Sequence, residues 1–172
     1  MPTDLVALLV DTPSARVAVL DRADGKLPAL RYAHDDPRVR RYCEDRRVFL
    51  SCNEISTSDI FWSRLAAGLN LQIPNSDDAE TDADVTRVVV LDDLTANQRT
   101  LITLEKLECI YSRDNQAQQE ATDVLLATLA AIDEVTLFVS FCGSSLPESV
   151  NWTIVNVRVR KRPPLVRFFF ST

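Results

Sequence analysis

Glycine and histidine are both scarce in this chain. Its 172 residues include three glycines, Gly25, Gly68 and Gly143, whereas average usage is about 7%. So few glycines argue against most architectures that wrap phosphate groups in backbone N–H groups, and each glycine is expected to mark a sharp turn or a close approach. The single histidine, His34, is expected at a helix surface or edge, without a catalytic role.

Paired cysteines and long apolar runs are also missing. The four cysteines form no Cys-x-x-Cys pair and have no histidine at ligand spacing, so we expect reduced thiols and no metal site. The apolar stretch 5–10 (LVALLV) lacks a basic leader and is too short for a signal peptide or a membrane span. These absences predict a cytoplasmic protein with no membrane span.

Charge is divided unevenly along the chain. Residues 154–172 contain four arginines, one lysine and no acid, a charge of +5, so that with a net charge of −6 the first 153 residues carry −11. An acidic body argues against a nucleic-acid partner, because phosphate contacts need a basic surface. We therefore expect one domain over 1–153, followed by a basic, apolar tail over 154–172 whose alternating start is typical of an edge strand or a frayed end.

Strand and helix patterns alternate along the body. Short apolar runs predict strands near Val17, Val48, Leu101 and Leu137. Between them, helical spacing predicts helices over 26–42, with Pro37 interrupting it, over 60–71 and over 116–132. The acid-rich segment 74–84 is predicted to be a surface loop. This alternation predicts an α/β fold with a mainly parallel sheet.

The segment 17–26 (VAVLDRADGK) has the form of a strand that runs into a phosphate-binding loop. Such a loop follows Gly-x-x-x-x-Gly-Lys-Ser/Thr, and here only Gly25 and Lys26 match it. Leu27 stands at the position of the hydroxyl that holds Mg²⁺, and Asp21 and Asp24 add negative charge where a phosphate would sit. A plain strand-to-helix turn, with Lys26 in solvent, is the alternative interpretation.

Two apolar runs end on an acid, as does the strand that carries the Mg²⁺-side carboxylate in phosphate-loop enzymes. One is 87–93 (RVVVLDD), which ends on Asp92 and Asp93. The other is 100–105 (TLITLE), which ends on Glu105. Spacing alone does not choose between them, and if the second is the strand, 85–94 becomes the helix before it.

Over about 16–153 the chain resembles the nucleotide-binding domain of NB-ARC-class STAND ATPases, especially those of large fungal repeat-containing proteins. The resemblance rests on the order and spacing of several segments: 17–20 with Gly25 and Lys26, 30–39, 45–52, 100–108, 125–132, 137–147 and 151–153. It favours Glu105 as the catalytic-side acid, where the family usually has Asp, with Asp92 and Asp93 as the fallback. It also implies an arginine after the strand near Leu137, where this chain has Cys142.

The resemblance implies a three-layer P-loop NTPase-like domain that binds ATP or ADP with Mg²⁺ through Gly25 and Lys26. The defects of the loop make that cofactor doubtful, and they predict weak or no hydrolysis, so an active ATPase is the least favoured interpretation. A nucleotide-independent scaffold for protein partners and a truncated remnant without a stable role are the alternatives.

Overall fold

A single mixed sheet organises the molecule. The computed structural model describes residues 4–12, 14–20, 29–75, 79–96, 98–111, 114–142, 146–160 and 167–171. Within them, six strands form one sheet in the order β2-β3-β4-β1-β5-β6. The strands are β1 (Arg16–Leu20), β2 (Arg47–Ser51), β3 (Thr100–Glu105), β4 (Val135–Phe141), β5 (Thr153–Arg160) and β6 (Arg167–Ser171). Five of the strands, β2, β3, β4, β1 and β5, run parallel to one another, and β6 pairs with β5 in the antiparallel sense.

Helices cover both faces of the sheet. They are α1 (Leu5–Asp11), α2 (Ala29–Asp35), α3 (Pro37–Tyr42), α4 (Ser58–Gly68), α5 (Ala79–Ala96) and α6 (Gln116–Ala130). Because strand side chains alternate between faces, Ala18 packs with the core under α4, α5 and α6, whereas Val17 and Val19 pack under α1, α2 and α3. The result is a three-layer α/β domain with two hydrophobic cores.

The predicted strands near Val17, Val48, Leu101 and Leu137 are confirmed. The mainly parallel sheet that their alternation with helices predicted is confirmed as well. The expectation about glycine is met at Gly68, which ends α4, because a Cβ there would lie 2.5 Å from Cγ1 of Val48 on β2. Gly25 and Gly143 lie outside the described residues.

Segment 85–94 is helical, although its run of valines favours a strand by propensity. Thr86, Val90 and Leu94 are all buried and lie four residues apart, so they form one stripe along α5. Val90 and Leu94 belong to the core that α5 shares with α4. Tertiary packing therefore overrides the β-branched propensity.

Two helix predictions have different outcomes. Segment 74–84 is not all loop, since α5 begins at Ala79. The interruption predicted at Pro37 within helix 26–42 is confirmed, since Asp36 separates α2 from α3, while residues 26–28 lie outside the described residues. Asp36 caps α3 by accepting from the Arg38 N–H at 2.8 Å, and Pro37 occupies the first turn, where its missing N–H costs nothing. The apolar stretch 5–10 forms α1, which Asp4 caps by accepting from the Val6 N–H at 3.0 Å.

The segment predicted to be a frayed or edge-forming tail supplies strands to the sheet. In β5, Thr153 pairs with Val17 and Asn156 pairs with Leu20, so this strand lies directly beside β1. Val155 is fully buried there. The boundary predicted between 153 and 154 does not coincide with an edge of the sheet, and β5 lies between β1 and β6.

Among the described residues, no helix has the length and apolar character needed to cross a membrane.

Candidate functional site

The carboxyl ends of the parallel strands converge at one edge of the sheet. Leu20 at the end of β1 pairs with Phe141 at the end of β4, and Ser51 at the end of β2 pairs with Glu105 at the end of β3. In open α/β sheets, ligands bind in the crevice outside these ends. Ser51 and Glu105 are the polar side chains with which β2 and β3 close, so they define the candidate site.

Glu105 is held in place by its neighbour on β2. The side chain is half-buried, and Oε2 lies 3.1 Å from the Ser51 hydroxyl, which lies 2.5 Å from Oδ1 of Asn53. A hydroxyl carries one proton, so Ser51 donates either to the carboxylate or to the amide oxygen. When Ser51 donates to Glu105, it fixes one carboxylate oxygen and leaves the other for a ligand at this edge.

The chain turns sharply directly after Glu105. Lys106 has a left-handed backbone with φ 60° and ψ 57°, which costs a residue with a Cβ roughly 1 kcal/mol. Its N–H donates to the hydroxyl of Ser140 on β4 at 2.9 Å. Because Ser140 is buried in the middle of the sheet, this bond anchors the turn and sets where Glu105 ends β3.

A second carboxylate meets the end of β4. The Cys142 N–H donates to Oε2 of Glu108 at 3.0 Å. Glu108 lies in the short 3₁₀ turn Leu107–Cys109 that follows β3. Cys142 stands where the resemblance implies an arginine, so this position offers an amide bound to a carboxylate rather than a cation.

Gly25 and Lys26 lie outside the described residues. What the structure does give is the strand that leads to them, since β1 ends at Leu20 beside β4 and β5. The chain therefore leaves β1 at the same edge of the sheet at which Glu105 and Ser51 lie.

The fallback acids lie elsewhere. Asp92 and Asp93 belong to α5, so the strand on which their candidacy depended does not exist. Asp93 Oδ2 lies 2.6 Å from Nη2 of Arg46, the residue that precedes β2. Arg46 also donates from Nε to Thr100, the first residue of β3, at 3.2 Å. The structure thus places Asp93 at the amino ends of the strands, opposite the edge that carries Glu105.

His34 is buried, contrary to the expected helix surface. Its Nδ1 lies 2.8 Å from the hydroxyl of Thr103, and its ring meets Phe49 edge-on at 5.3 Å between centroids. Burial, together with the charge of Arg47, lowers the pKa of His34 to about 4. The imidazole is therefore neutral near pH 7, and it packs against the sheet rather than facing the candidate site.

The buried cysteines are poor nucleophiles. Burial raises the pKa of Cys43 to about 11 and that of Cys52 to about 12, so both remain thiols at neutral pH. No grouping of three or more His, Cys, Asp or Glu side chains within the described part of the chain has the geometry to hold a metal ion. For Mg²⁺ beside a nucleotide, the described residues therefore fit only one role, that of a single carboxylate, Glu105, which is the usual share of protein ligands beside phosphates.

The sequence analysis did not identify Ser51 or Ser140 as residues of the candidate site. A signal for Ser51 was present, because the apolar run 47–50 closes on a hydroxyl just as 100–104 closes on Glu105. Ser140 lies inside the seven-residue strand β4, which is buried throughout. Nothing in the local pattern distinguishes it from a core residue.

Comparison with known proteins defines the fold. Neither a family model nor a curated protein matches the sequence. Nine chains of known structure match, among them one from "Structure of Drosophila ORC bound to DNA", with a TM-score of 0.54 and 11% identity over 86% of this chain and 82% of that chain. The likeness supports the three-layer α/β fold with its mainly parallel sheet, and at this level of identity it establishes the fold alone.

Proposed function

We propose that the chain is a degenerate ADP- or ATP-binding module of the STAND signalling type, with weak or no hydrolysis. The observation that carries the proposal is the position of Glu105. Its carboxylate closes β3 and bonds to Ser51 at the same edge of the sheet at which β1 leads towards Gly25 and Lys26. The P-loop NTPase-like fold supports a nucleotide there, since this is the edge at which such folds bind ligands.

Lys26 is the residue that we assign to the phosphates. A lysine supplies a compact positive charge, and within 17–28 the only other cation is Arg22. Nucleotide and Mg²⁺ would bring the chemistry of phosphoryl transfer to this edge. Glu105 would hold Mg²⁺ through a water molecule, from which its carboxylate accepts a hydrogen bond in the orientation that Ser51 imposes.

Four departures of the chain from the phosphate-loop pattern argue for binding without efficient turnover. Asp21 and Asp24 oppose a polyanion, and Leu27 offers no hydroxyl for a cation. Glu105 is longer by one methylene than the usual Asp, which displaces the carboxylate by about one bond length, and catalytic geometry tolerates about an ångström poorly. The amide of Cys142 is already bonded to Glu108 where a phosphate-binding cation is expected.

The test is thermal unfolding of the whole chain with and without millimolar ADP or ATP and Mg²⁺. Ligand at about 100 times its dissociation constant stabilises the folded state by about 2.7 kcal/mol, enough to raise the Tm by several degrees. We expect Lys26→Ala to abolish the shift. Arg87→Ala, which removes one positive charge from an exposed position on α5, is the matched control and should keep it.

Two results would contradict the proposal. A cooperative transition that nucleotide does not shift would favour the scaffold that binds proteins without nucleotide. A shift that Lys26→Ala and Arg87→Ala reduce equally would show a general charge effect rather than a phosphate site.

A further inference from the structure

A second concave site lies between α4 and α6, on the helical layer beside the ends of β2 and β3. It is a cavity of about 340 Å³, here named the α4–α6 pocket, and it is walled by the segment before α4, the first turns of α4 and α6, and Ile110. None of the described residues that line it is Ser51, Glu105 or Ser140. It is therefore separate from the proposed nucleotide site.

The floor of the pocket is apolar. Ile55, Phe61, Ile110 and Leu125 form it, and all four side chains belong to the core of this face. Thr122 also lines it, but the one proton of its hydroxyl is engaged by a backbone carbonyl, that of Ile110 at 2.5 Å or that of Gln118 at 2.9 Å. The floor can therefore hold an aromatic or aliphatic group and offers it no hydrogen-bond donor.

The described residues of the rim are polar and uncharged. Three hydroxyl residues in sequence, Ser56, Thr57 and Ser58, line the pocket together with Asn115 and Gln118. No Asp, Glu, Lys or Arg lines the pocket among the described residues, although charged residues make up 26% of the chain. Among the described residues of the lining, a cationic ligand would thus find no carboxylate to pair with, whereas the hydroxyls and the side-chain amides can donate to a ligand oxygen.

The ends of the two helices add to this polarity. Thr57 caps α4 by accepting from the Ile60 N–H at 3.3 Å, and Asn115 caps α6 by accepting from the Gln118 N–H at 3.0 Å. The side-chain oxygens of both caps are thus engaged, and positive helix ends disfavour a cation further. The volume falls near the lower end of the roughly 300–1,000 Å³ typical of small-molecule pockets, so the ligand is compact.

We propose that the α4–α6 pocket binds a compact amphiphilic small molecule, an aromatic or branched aliphatic body on the apolar floor with a hydroxyl or carboxylate oxygen at the uncharged rim. This inference is independent of the proposed nucleotide site. Since Ile110 follows Glu105 by five residues through one 3₁₀ turn, such a ligand would bind close to the candidate site without entering it.

The test uses three probes with one aromatic body and different heads: 2-phenylethanol, phenylacetate and 2-phenylethylammonium. Binding to the whole chain is measured by ligand-detected NMR and by titration of backbone amide signals. We expect the alcohol and the carboxylate to bind with amide shifts in the first turns of α4 and α6, and the ammonium to bind at least tenfold more weakly.

A pocket-filling variant locates the site. Ala121 lines the pocket but is exposed, so Ala121→Phe fills the cavity without enlarging the core, and it should abolish probe binding. Val124→Phe adds an aromatic ring at a position on α6 that is 66% exposed and outside the lining, and it should leave binding unchanged. Matching Tm values for both variants and the original chain establish that the fold is intact.

Each contrary outcome overturns the proposal. Absence of binding by all three probes excludes a small-molecule site of this class, and equal binding of the ammonium excludes the assigned head group. Binding that survives Ala121→Phe places the probe elsewhere. A dimer in sedimentation that Ala121→Phe dissociates would assign the pocket to a second copy of the chain.

Discussion

The two ends of the parallel sheet are built differently. At the amino ends, arginines tie elements together: Arg16 donates to the backbone oxygens of Ser14 and Ala130, both at 2.6 Å, and Arg46 pairs with Asp93 at 2.6 Å. At the carboxyl ends, the half-buried carboxylate of Glu105 is held by a serine hydroxyl at 3.1 Å. At the amino ends, Arg16 and Arg46 are each bonded to several internal partners, whereas at the carboxyl ends Glu105 keeps a carboxylate oxygen available for a ligand.

Stability and ligand binding are expected to depend on opposite ends of this sheet. An arginine such as Arg16 donates to carbonyl oxygens at the ends of strands and helices. If it is replaced, these partly buried acceptors lose their donors. Glu105 has few internal partners. Its replacement should therefore change the free energy of unfolding little and the affinity for a ligand strongly.

Arg16→Met should lower the free energy of unfolding more than any of the other variants. It keeps the apolar stem but removes the guanidinium that donates to the backbone oxygens of Ser14, Ala15, Ala130, Ile132 and Val135. We expect the free energy of unfolding in urea to fall by about 3 kcal/mol, because charged hydrogen bonds are lost and partly buried carbonyls stay unpaired. Arg40→Met is the control, since its pair with Asp45 is exposed, and a change equal to that control would contradict the account.

Acidification should weaken the fold through His34. Its pKa is about 4 in the folded chain, against 6.5 ordinarily, so between these pH values the unfolded chain binds more protons than the folded one. The contribution of the neutral imidazole to the free energy of unfolding is complete above pH 6.5 and is lost as the pH falls towards 4. Relative to His34→Gln, the chain should lose about 2–3 kcal/mol between pH 7 and pH 4.5. Parallel curves for the two proteins would show that His34 is not buried in its neutral form.

Asp93→Asn should lower the free energy of unfolding by an intermediate amount. The ion pair with Arg46 is partly buried, with side chains 25% and 16% exposed, so removal of one charge should cost about 2 kcal/mol in unfolding experiments. Glu54→Gln breaks an exposed pair with Arg64 at 2.9 Å and should cost less than about 1 kcal/mol. If the two variants are equally stable, the amino ends are not the reinforced end of the sheet.

Glu105→Gln should have the smallest effect on stability, within about 0.5 kcal/mol, since an amide can still accept from Ser51. Its effect should appear instead in the Mg²⁺ dependence of nucleotide binding, which calorimetry with and without the cation measures. A loss of stability as large as that of Asp93→Asn would make Glu105 a structural residue.

Much of the parallel core was predictable, because its strands are short apolar runs bounded by charge or turn residues. The sequence also predicted that 135–141 and 116–132 would be strand and helix, and α6 ends two residues before the predicted end. Segment 85–94 was ambiguous, since its valines satisfy both a strand by propensity and a helix by the spacing of Val90 and Leu94. Only packing against α4 decides between the two.

The incorporation of β5 was not predictable from local pattern. Alternating apolar and basic residues indicate a strand with one solvent-exposed face. The neighbouring sequence does not indicate that its partner is β1, which lies more than 130 residues earlier. Of the candidate site, Glu105 was recognisable as the acid that ends an apolar run. The Ser51 contact and the turn at Lys106 depend on register between strands, which a single sequence does not contain.

The most direct test of the account is to map ADP and Mg²⁺ onto the sheet through the backbone amide signals of the ¹⁵N-labelled chain. We expect saturable shifts at the carboxyl ends, at Ser51, Glu105 and Lys106, while the signals of Arg46 and Thr100 at the amino ends stay unchanged. An absence of shifts at millimolar nucleotide, or shifts confined to the amino ends, would contradict it.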